Sequence, residues 1–433
     1  MTYPDPSELN CLAHAIELQL QLRAEYGARG ITPILVRLRR ELRLARARLE
    51  RLPADPALAR KEPSALAAIR ALRPRGPRRL WKAFDAKAYG PRLAGAFLGR
   101  VSGCTLGAPV ELWPPAKMEA LARENGERFP PVDYWTYVPE PKNLRYRFSR
   151  VEEYLRGGIR GVPVDDDVIY TLLGLLVLEE HGTGFTTADV GKAWQKYLPM
   201  ACTAEEVALK NLKRGIPASR AGAINNPFCE WIGADIRSDP WGYAAPGWPE
   251  RAAEMAWRDA FLSHRRQGIY GEMFFSAAIA AAFAVDDTVE ALRIGLTEIP
   301  RDCALAHAVS WALRMAPRIR NHRQARAAVD RKFAGMHCVH TINNACLTVF
   351  GLTIGRGDFT RVIGETVAMG LDNDCTAATA GSIFGAVHGK RAIPSRWHQP
   401  FGDTVHSYLI KRKKFRISNL LRRFECQARR VHG

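Results

Sequence analysis

Gly370-Leu-Asp-Asn-Asp-Cys-Thr-Ala-Ala-Thr-Ala-Gly381 places two carboxylates, Asp372 and Asp374, directly ahead of a long run of small and apolar residues. In that run Ala377, Gly381, Gly385 and Gly389 recur at every fourth position. On a helix such positions share one stripe, and small side chains along it let a second backbone approach closely. A helix N-terminus favours one capping Asp, because its oxygens accept free backbone N–H groups and the dipole attracts negative charge. Two Asp at the entrance of a deeply placed helix exceed that need. The sharper reading is a cation held by hard oxygen ligands, which calls for partner carboxylates elsewhere in the chain.

Those partners stand in Gly161-Val-Pro-Val-Asp-Asp-Asp-Val-Ile-Tyr-Thr-Leu172, where Asp165, Asp166 and Asp167 precede a strongly apolar helix. One acid suits the dipole, but three in a row repel each other, and a bound multivalent cation relieves that repulsion. The plainer alternative is a solvated acidic cap. A second small-residue helix begins near Tyr89, with Gly95, Gly99 and Gly103 again four apart. Each Gly costs a helix roughly 1 kcal/mol of propensity, so the pattern is useful only for close packing. The helix ends at Gly107-Ala-Pro109 and leaves Glu111 on the loop beyond.

The rest of the chain reads as helices. Residues 9–50 carry an amphipathic basic pattern, with Ile34, Leu35, Leu38 and Leu42 among Arg37, Arg39, Arg40 and Arg43. Such a face binds nucleic acid, an anionic membrane or an acidic partner, or simply lies solvated on its own domain. Five prolines between Pro53 and Pro77 suggest a boundary before residue 85. Residues 113–160, rich in Pro, Tyr, Arg and Trp, read as an irregular surface excursion. Residues 225–242 are turn-rich yet aromatic, which suits a loop lining a pocket. Asp286 and Asp287 read as an ordinary N-cap. Strand-like alternation is nearly absent, so the fold is expected to be all-α.

Composition sets limits. At 433 residues the chain can bury a large core, and 47% hydrophobic with 25% charged residues is ordinary for a globular protein. The net charge of +19 is concentrated at the ends, with 17 Lys/Arg against 8 Asp/Glu in residues 1–84 and 9 against 1 in residues 411–433. The middle is nearly neutral, which weakens the case for nucleic acid as the main partner. The N-terminal residues lack the apolar core of a secretory signal, and nine scattered cysteines without CxxC spacing read as reduced thiols. A cytoplasmic protein without membrane spans is expected.

With these residues in place, the stretch from about 89 to 393 resembles the ADP-ribosylglycohydrolase family, the relatives of dinitrogenase-reductase-activating glycohydrolase. The markers run in the family's order: the Gly99–Glu111 helix and loop, Asp165-Asp-Asp-Val-Ile-Tyr-Thr-Leu172, Gly233-Ala-Asp-Ile-Arg-Ser-Asp-Pro-Trp-Gly242, His264, and the Asp372-x-Asp374 segment with its glycine helix. The resemblance implies an all-α, compact orthogonal helix bundle over residues 85–410, flanked by a basic helical extension (1–84) and a basic tail (411–433). It implies two divalent cations, Mg²⁺ or Mn²⁺, and hydrolysis of ADP-ribose from a side chain or a related N- or O-glycosidic adduct on a protein or small molecule. By position, it implies metal ligation by Asp165, Asp166, Asp167, Asp372, Asp374 and Thr376. Catalytic work falls to Glu111, Asp166 and Asp167, and substrate contact to Glu111, Arg237, His264, Gly370 and Asn373.

Three positions depart from the family pattern. Asp165 stands for the usual Thr, Cys375 for the hydroxyl residue after the second Asp, and Cys104 for an Asp of the opening helix. A thiol is a poor Mg²⁺ ligand, so either Thr376 is the substitute or one metal binds weakly. Two other readings compete with hydrolysis: an inactive ADP-ribose-binding or structural module, and a nucleic-acid-associated protein acting through its basic ends.

Overall fold

Helices Ala86–Gly107 and Asn373–His388 lie antiparallel and closer than ordinary helices can. Gly95 faces Gly385, Gly99 faces Gly381, and Gly103 faces Ala377, each backbone carbonyl filling the space a partner's Cβ would need. At the far end a Cβ on Gly107 would sit 2.5 Å from the Asp374 Cα. This contact brings the loop after Gly107 to the start of the second helix. Gly389, grouped by spacing with the stripe, ends the helix with φ +75°, and its backbone also lies against Gly95, whose Cβ would fall 2.6 Å from the Gly389 carbonyl carbon.

The computed structural model describes residues 3–139 and 142–433. Twenty-one α-helices account for nearly all regular structure among them, with only two pairs of two-residue strands, Asn143–Leu144 with Ser149–Arg150 and Val405–His406 with Lys414–Phe415. The fold is all-α. Helix Gln267–Ala282 is buried along its whole length, as its apolar run predicts, and Thr341–Gly355 and Phe359–Ala368 complete the packing around the glycine pair. Asp287 caps Thr288–Gly295 through bonds to the Val289 and Glu290 amides, the expected N-cap. Among the described residues no helix is long and apolar enough to cross a membrane.

The chain divides into two compact units, one ending at Arg60 and one spanning Lys61–Gly433. The first contains helices Ser7–Glu25 and Ile31–Glu50, separated at Gly27 and Gly30, which both adopt positive φ; neither helix buries a residue. The boundary differs from the one drawn at residue 85. Residues 61–84 are held in the larger unit because Ile69 is buried and Arg73 and Arg78 both pair with buried Glu298, at 2.6 and 2.7 Å. The basic C-terminal segment is likewise part of that unit. Helix Ile417–His432 buries Leu420, Phe424 and Ala428 and turns its arginines outward, with Arg423 on Glu179 at 2.7 Å.

The 113–160 stretch is not a surface excursion. Tyr134 and Trp135 are buried and bond to the carbonyls of Trp397 (2.6 Å) and Leu106 (3.1 Å). Its short hairpin delivers one side chain into the interior.

Candidate metal centre and cavity

The two acidic segments meet where the glycine pair ends. Asp165 is the N-cap of helix Asp166–His181, its Oδ1 accepting from the Asp167 amide at 3.0 Å. Asp372 precedes helix Asn373–His388 but caps nothing; Gly370 (φ +69°) and Leu371 (φ +59°) turn the chain sharply into it. Oδ1 of Asp372 and Oδ1 of Asp374 are buried without a hydrogen-bond partner. The Asn373 amide donates to the Val110 (3.3 Å) and Val367 (3.2 Å) carbonyls, and the Leu112 amide donates to Leu371 O at 3.1 Å. These bonds hold Glu111 beside the aspartates. Asn373 and Gly370 therefore build the turn; a Cβ on Gly370 would lie 2.7 Å from the Trp113 carbonyl.

Sequence reasoning missed the cation already present. Arg145, 9% exposed, enters from the hairpin between the strands 143–144 and 149–150. Its Nε donates to Asp165 Oδ2 at 2.5 Å, Nη1 to Glu111 Oε2 at 2.5 Å, and Nη2 to Asp374 Oδ2. Asp166 Oδ1 lies 3.7 Å from Nε. A second buried guanidinium, Arg100, reaches Asp167 Oδ1 (3.2 Å) and Asp239 Oδ2 (2.5 Å) from the opening helix. The available signal was charge balance: a buried group of acids demands buried arginines, and the 113–160 stretch is rich in them.

The surroundings disfavour the ionised form of these carboxyls. Burial pushes Asp166 up to about 7 and Asp372 up to about 6, and drives Asp167 and Asp374 well above the usual carboxylate range. Arg145 counteracts this at Asp166 and Asp374, and Arg100 at Asp167.

Two sets of potential ligand atoms lie within 4.8 Å of one another: Cys104, Asp165, Asp167 and Asp374, and Asp372, Asp374 and Cys375. The residues fit a divalent cation best in the second set, where two carboxylate oxygens lack partners. Thr376 does not take the place expected of it. Its hydroxyl turns back to the Asn373 carbonyl at 3.4 Å, while the Cys375 thiol faces the acids and donates to Asp167 Oδ2 at 3.1 Å. Position 376 lies two residues along the helix from Asp374, which rotates it to another face. Sulfur in the ligand set favours softer ions over Mg²⁺. Cys375→Ser should therefore shift the Zn²⁺-to-Mg²⁺ affinity ratio toward Mg²⁺ by about tenfold or more, the scale on which metal-site partners act. Competition dialysis measures it, and an unchanged ratio removes sulfur from the site.

The acids help to line a cavity of about 290 Å³. Glu111, Asp166, Asp372, Asp374 and Cys375 share its lining with Tyr170, Trp231, Ile236 and His337. The Trp231 and His337 rings stack at 4.0 Å and 15°. The turn-rich 225–242 segment thus lines a pocket as its composition suggests. Its arginine does not. Arg237 lies behind the wall, held by Asp259 (2.5 Å), Glu205 (2.7 Å) and Glu272 (3.4 Å), with Ser263 Oγ at 3.0 Å. Its donors are committed to internal acids, so substrate contact gives way to a framework role. His264 is also fully buried beside that network, its Nδ1 2.8 Å from Ser263 Oγ, and burial holds it well below the usual histidine range.

No curated protein matches the sequence. Among solved structures, one titled ADP-ribosylglycohydrolase-related protein complex superposes with a TM-score of 0.50 at 21% identity, over 80% of this chain and 98% of that one; this likeness concerns the fold. The family model described as ADP-ribosylglycohydrolase matches residues 85–426, from the opening glycine helix through most of the C-terminal helix. The chain belongs to the ADP-ribosylglycohydrolase family.

Proposed function

We propose that this protein is a metal-dependent hydrolase that releases ADP-ribose from an ADP-ribosylated side chain or a related N- or O-glycosidic adduct. The observation that carries the reading is the meeting of Asp166, Asp372, Asp374 and Glu111 in the lining of one cavity, with two buried carboxylate oxygens left without partners. Asp372 and Asp374, with Asp166 nearby, would hold Mg²⁺ or Mn²⁺. When bound, such an ion supplies Lewis-acid polarisation of a sugar hydroxyl or a water.

The chain's own groups account for the rest. The cavity is at the small end of ligand sites, which suits the sugar that carries the scissile bond and leaves the remainder of the ligand at the mouth. The stacked Trp231–His337 pair gives a flat face on which part of a nucleotide can lie. Carboxylates of the same cavity would accept hydrogen bonds from ribose hydroxyls and stabilise the oxocarbenium-like charge that develops as the leaving group departs. Glu111, whose side chain keeps 33% of its surface exposed, would take a proton from an attacking water.

Incubation with arginine-, serine-, acidic- and nucleotide-linked ADP-ribose, with Mg²⁺, Mn²⁺ or EDTA, tests the reading. Release of ADP-ribose from at least one substrate is expected with metal and not with EDTA. Asp166→Asn and Asp374→Asn should each lower turnover by at least about 10²-fold, the lower range for a positioned catalytic carboxylate. Full turnover by both variants on every linkage rejects the assignment. A second reading, an ADP-ribose-binding module without turnover, draws support from the engagement of Glu111 and Asp374 by Arg145. Calorimetric binding of ADP-ribose with no release from any linkage would select it.

A further inference from the structure

We infer that Arg145 occupies the position of one cation in this centre, so that the protein binds a single divalent ion per chain and not a pair. The inference rests on the reading of the acidic cluster as a metal centre. Two ligand groups share Asp374, and they differ in what their oxygens already do. In the group of Cys104, Asp165, Asp167 and Asp374, every carboxylate meets a guanidinium or thiol. Asp165 Oδ2 and Asp374 Oδ2 accept from Arg145, and Asp167 accepts from Arg100 and Cys375. Asp374, common to both groups, gives Oδ2 to Arg145 and keeps Oδ1 without a partner; the second group adds Asp372, whose Oδ1 is also buried without a partner. In the first group Arg145 already binds Asp165 and Asp374. The second is open and faces the cavity.

A guanidinium fits this task. It is permanently charged, and its planar fork of donors matches carboxylates on different elements at once. Arg145 spans three of them: Glu111 on the loop after the opening helix, Asp165 at a helix cap, and Asp374 in the first turn of the glycine helix. A metal cage at that point would need the same oxygens and would stand against a fixed positive charge. The backbone is shaped for the delivery, since Arg145 takes φ +48°, a conformation a non-glycine residue adopts only when its surroundings enforce it. Val151 N donates to Lys142 O at 3.1 Å across the hairpin base, and Leu144 is buried beside the arginine. Cys375, which stands for the hydroxyl residue after the second Asp, agrees with a site that no longer coordinates two hard ions.

The test uses the full chain and Mn²⁺ alone. Equilibrium dialysis should give one Mn²⁺ per wild-type chain, and its electron paramagnetic resonance spectrum should be that of an isolated ion. Arg145→Met removes the charge and the fork but keeps an apolar stem, and should raise the stoichiometry to two with an exchange-coupled signal. Arg145→Lys retains a positive charge and should stay at one. Two coupled ions in the wild type would overturn the inference while leaving the metal centre intact. One ion in a folded Arg145→Met variant would overturn it as well. Absence of any bound Mn²⁺ in the wild type would reject the metal centre itself. Should Arg145→Met fail to fold, the wild-type and Arg145→Lys stoichiometries still decide between one ion and two.

Discussion

Replacing Arg237 by methionine should destabilise the larger unit by about 3–5 kcal/mol, the usual consequence of removing one partner from a buried ion network. The side chain is 2% exposed and answers three carboxylates, on Glu205, Asp259 and Glu272, that are themselves buried. Methionine fills much of the volume but leaves those acids facing each other. Burial already holds Glu205 and Glu272 above the ordinary carboxylate range, with Arg237 the group pulling them back. The denaturant midpoint measures the loss. A substrate-binding role gives the opposite pattern, a raised KM with the midpoint unchanged, and that result would return Arg237 to the cavity. Through Glu205, which lines the cavity, the network also fixes part of the cavity lining.

Gly381→Ala is expected to destabilise the same unit by about 2 kcal/mol or more. Two effects oppose each other. Alanine improves helix propensity by roughly 1 kcal/mol. Against this, the new methyl would fall inside the Gly99 carbonyl, and Gly99→Ala would meet Gly381 in the same way. Overpacking in a core costs about 1–3 kcal/mol when side chains can rearrange. Here the obstacle is backbone, with no rotamer to change, so relief requires the two helices to separate. Separation would also release the start of the second helix, with Asp374, from its seat against Gly107, so Mn²⁺ affinity should fall with stability. An unchanged or raised midpoint would mean that the helices are not held at this distance.

Much of this was legible in the sequence because it depends on local chemistry. Helix periodicity without alternation identified the all-α class. Fourfold glycine spacing marked two helices for close packing, since nothing else justifies glycine in helix interiors, but it did not say that they pack on each other. Adjacent aspartates at two helix starts identified the acidic centre, because unpaired carboxylates in apolar surroundings are costly. The aromatic, turn-rich 225–242 segment was recognisable as a pocket wall for a similar reason: its composition suits neither core nor solvent.

What the sequence alone did not decide was which partner each polar group would find. Arg145 and Arg237 are the same residue type in polar stretches, yet tertiary packing puts the first among the site acids and the second behind the wall. Thr376 and Cys375 are neighbours, and only the rotation of their helix against the acids selects the thiol over the hydroxyl. Residues 61–84 and the basic C-terminal helix read as appendages by charge, but their apolar faces close the larger unit. Periodicity and residue type act within a few turns of chain and so determine elements and candidate chemistry. Long-range pairing of charges depends on which elements meet, and only the folded arrangement decides that.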